Sequence, residues 1–205
     1  MRPRIASVLF GAALQAALPA AAQNALTLYG GYRAGGSFEQ TTGSTTSNAD
    51  IGGGGVGALS VDWALDAARN LQFFASAQRT SIQVTPANPG ASSSVPLNIR
   101  YAHLGGSNFF DGRAGQGGYI AGGLGATFMS PNLDGLSSEI RPSLSIALGY
   151  EHAFTPSLAL RAELRGYATL INSSGALFCS GGCVVVIRGD TLFQADALLG
   201  LSLRF

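Results

Sequence analysis

Residues 191–205 read TLFQADALLGLSLRF and divide at every second position. Positions 193, 195, 197, 199, 201, 203 and 205 are Phe, Ala, Ala, Leu, Leu, Leu and Phe. The intervening positions 194, 196, 198, 200, 202 and 204 are Gln, Asp, Leu, Gly, Ser and Arg. Successive side chains of a β-strand point to opposite faces, so this is a strand with one wholly apolar face and one mostly polar or small face.

The same division recurs upstream. Even positions from 158 to 170 are Leu, Leu, Ala, Leu, Gly, Ala and Leu, while Arg161, Glu163, Arg165, Tyr167 and Thr169 stand between them. From 140 to 154 the even positions are again mostly apolar, and Arg141, Ser143, Ser145 and Glu151 fall on the other face. A helical period would scatter Arg161, Glu163 and Arg165 over different faces. Eight segments of this kind can be drawn, at roughly 25–38, 51–65, 71–84, 95–110, 118–129, 139–154, 158–172 and 191–205. The gaps between them run long, short, long, short, long, short, long. Alternating short turns and long loops are the mark of an outer-membrane barrel, with the short turns in the periplasm. Strands of ~9–11 residues cross a bilayer; the longer segments here predict a barrel that protrudes from it.

The N-terminus fits that destination. Met1–Ala22 carries Arg2 and Arg4, an apolar run from Ile5 to Leu18, and the small-residue stretch Ala20–Ala22. This three-part pattern predicts a cleaved secretory signal peptide at 1–22, with the barrel domain at 23–205. The run is too short for a membrane anchor, which needs ~20 apolar residues. All 12 basic residues are Arg, and 11% of the chain is charged. With Arg2 and Arg4 removed, ten Arg stand against 11 acidic residues, so the formal charge passes from +1 to −1. Neither value is a footprint for nucleic acid. The low charge also argues against disorder.

The competing fold is a secreted β-sandwich. Its strands would be shorter, and a packed core would reject the charges on the second face. The expected fold is therefore all-β: an eight-stranded antiparallel up-and-down transmembrane barrel, with an apolar face continuous on every strand and turned to lipid. The lumen of such a barrel is just wide enough for side chains to fill. Arg141, Glu151, Arg161, Glu163, Arg165, Asp196 and Arg204 form the expected interior charge network, joined by Gln194 and Ser202. Phe154 and Leu158 share the outward face, so a three-residue loop, Thr155-Pro156-Ser157, keeps faces matched and sets Glu151 opposite Arg161.

The 29 Gly fit a narrow barrel, where they allow curvature and make room for Arg or Tyr on neighbouring strands. Gly53-x-Gly55-x-x-Ala58 lacks the βαβ context of a dinucleotide motif, and no cofactor is expected. Trp63, Phe73, Tyr150, Phe154 and Phe205 predict a periplasmic aromatic belt, and Tyr32 and Phe128 an external one. Cys179 and Cys183, in the longest external loop, predict a disulfide, since the compartment is oxidising and no His lies near them for a metal site.

The segments YAHLGG (101–106), YIAGGLGATFMSP (119–131), LALRAELRGYATLINSSGALFC (158–179) and GDTLFQADALLGLSLRF (189–205) resemble the proteobacterial OmpA-like group of eight-stranded outer-membrane barrels. The resemblance implies fold and location more firmly than activity. It implies that Phe205 is the signal read by the outer-membrane assembly machinery, and that the barrel contacts outer-membrane lipid and lipopolysaccharide. A cell-wall-binding second domain, as in the two-domain members, is not expected. Some barrels of this size deacylate lipid A with a His-x-Ser pair, but His103 is followed by Leu104-Gly105 and His152 by Ala153-Phe154. The expected role is non-enzymatic, in envelope structure or surface interaction through external loops whose ligand is unread. A narrow solute pore is the alternative, and a lipid A-modifying enzyme a more distant one.

Overall fold

The computed structural model describes residues 24–42, 45–84, 93–132, 137–171, 176–177, 185–186 and 191–205. Every regular element among them is a strand. In chain order these are β1 (Ala25–Ala34), β2 (Ser37–Thr42), β3 (Thr45–Ile51), β4 (Gly54–Ala64), β5 (Arg69–Val84) and β6 (Ser93–Phe109). There follow β7 (Gly117–Pro131), β8 (Glu139–Thr155), β9 (Leu158–Leu170), β10 (Ala176–Leu177), β11 (Val185–Val186) and β12 (Thr191–Arg204). The expected signal peptide and the Cys179–Cys183 disulfide lie outside the described residues.

Eight strands make the barrel. They pair as β5-β4-β1-β12-β9-β8-β7-β6, and β5 pairs with β6 to close the ring. All pairs are antiparallel, and β1 meets β12 from Ala25↔Arg204 to Ala34↔Ala195. Closure removes every barrel edge, which a sheet in hydrocarbon requires because no water is present to satisfy free N–H and C=O groups. The outward face of β12 is Phe193, Leu199, Leu201, Leu203 and Phe205, all exposed, and β8 turns out Leu144, Ile146 and Leu148. Trp63, Tyr150, Phe154 and Phe205 are exposed toward the short-turn end, and Tyr32 and Phe128 toward the other.

Three expectations need correction. The stretch Glu39–Asp50, expected as loop, lies largely in the β2–β3 hairpin, which pairs from Ser37↔Asp50 to Thr42↔Thr45 and docks on β5 through Asp50↔Gln83. The run TTSNAD is polar but contains β-branched Thr, which suits an extended backbone. The second concerns the β8–β9 turn. Glu151 does pair with Arg161, and Ala153 with Ala159, but Thr155 then pairs with Leu158, so Phe154 is an extra residue in a bulge. The loop proper is therefore Pro156-Ser157, and the bulge absorbs the residue that a two-residue loop would otherwise put out of phase. Thr155 Oγ1 holds this geometry by accepting from the backbone N–H of Ser157 at 3.3 Å and of Leu158 at 3.0 Å.

The third correction concerns the apolar face, which is not continuous on every strand. On β6, Leu104 faces out, whereas Val95, Leu97 and Ile99 face in and are buried. Leu97 and Ile99 pack with Ile82, Met129, Ile171 and Leu192 into an apolar plug across the external part of the lumen. On the outer side at this level stand Arg79, Asn98, Arg100 and Ser130. The polarity of these strands thus inverts along their length. Below the inversion the barrel is apolar outside, as lipid requires; above it the barrel is apolar inside, as water requires. The inversion marks the external membrane interface.

At the periplasmic end, Asp66 Oδ1 accepts from the N–H groups of Ala68 and Arg69, both at 2.9 Å, and tightens the β4–β5 turn. The Arg69 guanidinium also holds the Asp66 carboxyl below its usual range. The β6–β7 turn folds across the mouth: Ala114 N–H donates to Ala67 O at 2.6 Å, and Arg204 donates to Gly115 O at 2.8 Å. Gly115 at φ 89° lets the chain reverse there without Cβ strain.

Candidate functional site, the filled lumen

Inward positions of β1, β4, β5, β7, β8, β9 and β12 fill the lumen with stacked levels of buried ion pairs. At the periplasmic level, Arg161 lies fully buried, with Nη1 2.7 Å from Asp62 Oδ2 and Nε 3.3 Å from Glu151 Oε2. Arg204 Nε approaches the other Glu151 oxygen at 3.3 Å. The Arg161 guanidinium also stacks on the Tyr119 ring, 4.6 Å from its centroid.

At the next level Arg165 donates from Nε to Glu163 at 2.7 Å, from Nη1 to Ser145 at 3.0 Å and from Nη2 to Gln72 at 2.8 Å. Gln72 in turn donates to Asp62 at 2.8 Å, which links the two levels. Tyr119 donates to the second Glu163 oxygen at 2.7 Å. Above them Arg33 grips Asp196 through Nε at 2.6 Å and Nη2 at 2.7 Å, and also reaches Ser76 at 2.7 Å. Tyr167 donates to Asp196 at 2.7 Å. Tyr101 and Tyr167 stack at 4.1 Å, and Arg33 lies over both rings.

The charges cancel. Arg33, Arg161, Arg165 and Arg204 oppose Asp62, Glu151, Glu163 and Asp196, four against four. Buried ions require this, because an unpaired charge in a dry interior costs several kcal/mol. Arginine suits such a lumen because its planar fork gives several donors per residue and stacks on aromatic rings.

Of the residues expected in the network, the structure places Glu151, Arg161, Glu163, Arg165, Asp196 and Arg204 together in the lumen. Arg141 stands apart near the external end, half-buried and paired with Glu139 at 3.0 Å. Arg33 and Asp62 join the network from outside the expected set, although extending the count of alternate positions to 27, 29, 31, 33 and to 60, 62 places both on the inner face. His103 is also interior and buried; its Nε2 lies 2.9 Å from Ser143 Oγ. Among the described residues no carboxylate hydrogen-bonds its Nδ1, which stays without a partner.

Glu151 is the test of the predicted register. Glu151→Ala leaves Arg161 its bond to Asp62 but strips the counter-charge from Arg204. The expected loss is about 1–3 kcal/mol of unfolding free energy, read from the urea midpoint in lipid vesicles. An unchanged midpoint would remove the pairing from the energetics of the fold.

No curated protein sequence matches this chain. Solved barrels do. Neisserial surface protein A is 14% identical, with a TM-score of 0.54 over 91% of this chain and 100% of that one. OprG from Pseudomonas aeruginosa is 10% identical, with a TM-score of 0.54 over 90% of this chain and 97% of that one. The outer-membrane protein AlkL, solved by solid-state NMR in lipid bilayers, is 16% identical, with a TM-score of 0.56 over 89% and 90%. At such identities the likeness is one of fold. The family model for the outer membrane protein beta-barrel domain matches residues 7–205. A closed antiparallel ring with a lipid-facing apolar belt, a compensated lumen and that match have one reading: this chain belongs to the outer membrane protein β-barrel domain family and is an integral protein of the outer membrane.

Proposed function

We propose that the protein is a non-enzymatic, non-conducting barrel that anchors its external loops at the cell surface and acts through them. The observation that carries this reading is the filled lumen. Three fully buried arginines, stacked tyrosines and an apolar plug occupy successive levels of one narrow tube. The cavity lined by Asp62, Glu151, Arg161 and Arg204 measures about 10 Å³, room for about one water. A solute path would have to break the Arg33–Asp196 and Arg161–Asp62 pairs together. The narrow-pore alternative lacks a comparable supporting observation. On the external side, the β2–β3 hairpin continues from β5 past the eight strands of the ring, where a surface partner could reach it.

In this reading Phe205, exposed at the periplasmic end with its N–H bonded to Asn24 O at 3.0 Å, serves as the assembly signal for the outer-membrane insertion machinery. Planar-bilayer recording of the refolded protein tests the proposal. The expected trace stays at baseline. Reproducible stepwise openings of the purified barrel would replace this reading with the pore.

A further inference from the structure

The outer surface holds two arginines that the barrel itself does not use. Arg79 on β5 and Arg100 on β6 are both exposed on the lipid-facing side. The ladder pairs Arg79 with Asn98 and Arg100 with Ala77, so the two are diagonal neighbours on one face. Diagonal cross-strand neighbours lie within reach of long side chains. Among the described residues, neither has an ion-pair or hydrogen-bond partner, and neither has Arg113 in the β6–β7 turn, whereas Arg33, Arg69, Arg141, Arg161, Arg165 and Arg204 all have one.

Their height is fixed by two independent features. Arg69 and Arg79 bracket the outward run Leu71, Phe73, Ala75, Ala77 on β5. Ten residues at ~3.3 Å and a tilt of ~40° rise about 25 Å, the height of the apolar band in such barrels. The polarity inversion on β6 falls at the same level: Ile99 and Tyr101 are buried in the lumen while Asn98 and Arg100 face outward. An arginine at the bilayer midplane costs ~2–4 kcal/mol and near the interface ~0–1. These two therefore stand at the external interface, on the side of the long loops.

Directly below runs a groove of about 710 Å³ on the lipid-facing wall, lined by Leu28, Leu59, Ala75, Ala77, Ala102 and Phe128, with Arg100 and Asn98 also on its lining. The alanines set it back between larger neighbours. A groove facing hydrocarbon takes an acyl chain, and an arginine pair at its top takes a phosphate through charge-assisted, fork-shaped hydrogen bonds. Since this end meets the outer leaflet, we propose that Arg79 and Arg100, with Asn98 between them in the register, form a headgroup site for a phosphorylated outer-leaflet glycolipid whose acyl chain lies in the groove beneath. The site is independent of whether the lumen conducts or what the loops bind.

The test uses the full barrel refolded in detergent micelles and native mass spectrometry of its lipid adducts. Bisphosphorylated lipid A, the same lipid A without phosphates, and phosphatidylglycerol are the probes. The expected result is one retained bisphosphorylated lipid A per barrel, with about tenfold weaker retention in Arg79→Gln/Arg100→Gln. Arg113→Gln, which removes an exposed charge from the periplasmic turn, retains the lipid as the parent does. Arg79→Lys/Arg100→Lys keeps the charge and recovers most of the binding. Heat-modifiable gel migration verifies that each variant is folded. Equal retention by the Gln double variant, or equal retention of the dephosphorylated probe, overturns the site. Equal retention of phosphatidylglycerol overturns the assignment to a glycolipid.

Discussion

Arg161→Met is expected to destabilise the barrel by about 3–5 kcal/mol, the usual cost of removing one partner from a buried ion pair. Arg161 is 1% exposed and touches Asp62 at 2.7 Å, Glu151 at 3.3 Å and Thr27 at 3.3 Å, under the Tyr119 ring. Methionine restores much of the volume but none of the charge. Asp62 would then keep only neutral donors, Gln72 at 2.8 Å and Ser60 at 3.0 Å. Glu151 would retain Arg204 alone. The lumen is closed below by the β6–β7 turn, so water reaches the stranded carboxylate poorly. The measurement is urea unfolding in lipid vesicles, followed by the fluorescence of the single tryptophan, Trp63, at the lipid-facing periplasmic edge. The Asp62→Leu/Arg161→Met double variant removes both charges and should regain a large part of the loss, because replacing a whole buried pair by apolar groups is often near neutral. If the single variant loses less than about 1 kcal/mol, the network is not what holds the lumen together.

The parts of the fold legible from sequence are those that lipid dictates. Leu199, Leu201 and Leu203 alternate without interruption because every second residue of β12 must meet hydrocarbon, and Arg161, Glu163 and Arg165 expose the same rule on β9 from the inner side. Where two solvents compete, the pattern misleads. Val95, Leu97 and Ile99 alternate as a lipid-facing face would, yet they face the lumen, because β6 has risen above the membrane by that point. One sequence period therefore spans two opposite physical assignments, and only the height of the strand separates them. Arg33 and Asp62 are hard to read for a different reason. Their strands are rich in glycine, and Gly30, Gly31, Gly54, Gly55 and Gly57 blur the contrast between faces. The β2–β3 stretch, SFEQTT and TTSNADI, is made mostly of polar residues, which leaves its sequence little contrast for periodicity to report. The Glu151–Arg161 pairing is readable because face matching restricts the register to steps of two and a tight turn around Pro156 selects one of them; the bulge at Phe154 leaves that register unchanged.

Glycine itself supplies the second large effect. Gly105→Ala and Gly125→Ala are expected to disrupt the β6–β7 ladder, each costing about 1–3 kcal/mol or more through overpacking. A Cβ on Gly105 would be driven into the carbonyl oxygen of Gly122, and one on Gly125 into that of Ala102. These are backbone atoms of the neighbouring strand, which no rotamer change can move aside. The pairs Gly105↔Gly123 and His103↔Gly125 would have to part, and His103 carries the contact to Ser143 on β8. A Cβ on Gly149 would meet the buried Tyr119 ring, and one on Gly200 would meet both the Tyr29 ring and the carbonyl oxygen of Leu28, so these glycines make room for an aromatic side chain on the adjacent strand. Gly30 and Gly57 are the controls: nothing lies within 4 Å of a Cβ at either. Gly30→Ala and Gly57→Ala should leave the barrel unharmed or stabilise it by about 0.4–1 kcal/mol through the smaller entropy of the unfolded chain. The comparison is made on folding yield into vesicles and on urea midpoints of all four variants. If the two pairs lose stability equally, glycine matters here for general strand curvature. A loss confined to Gly105 and Gly125 assigns it to the close approach of β6 and β7, where the wall admits no side chain between its strands.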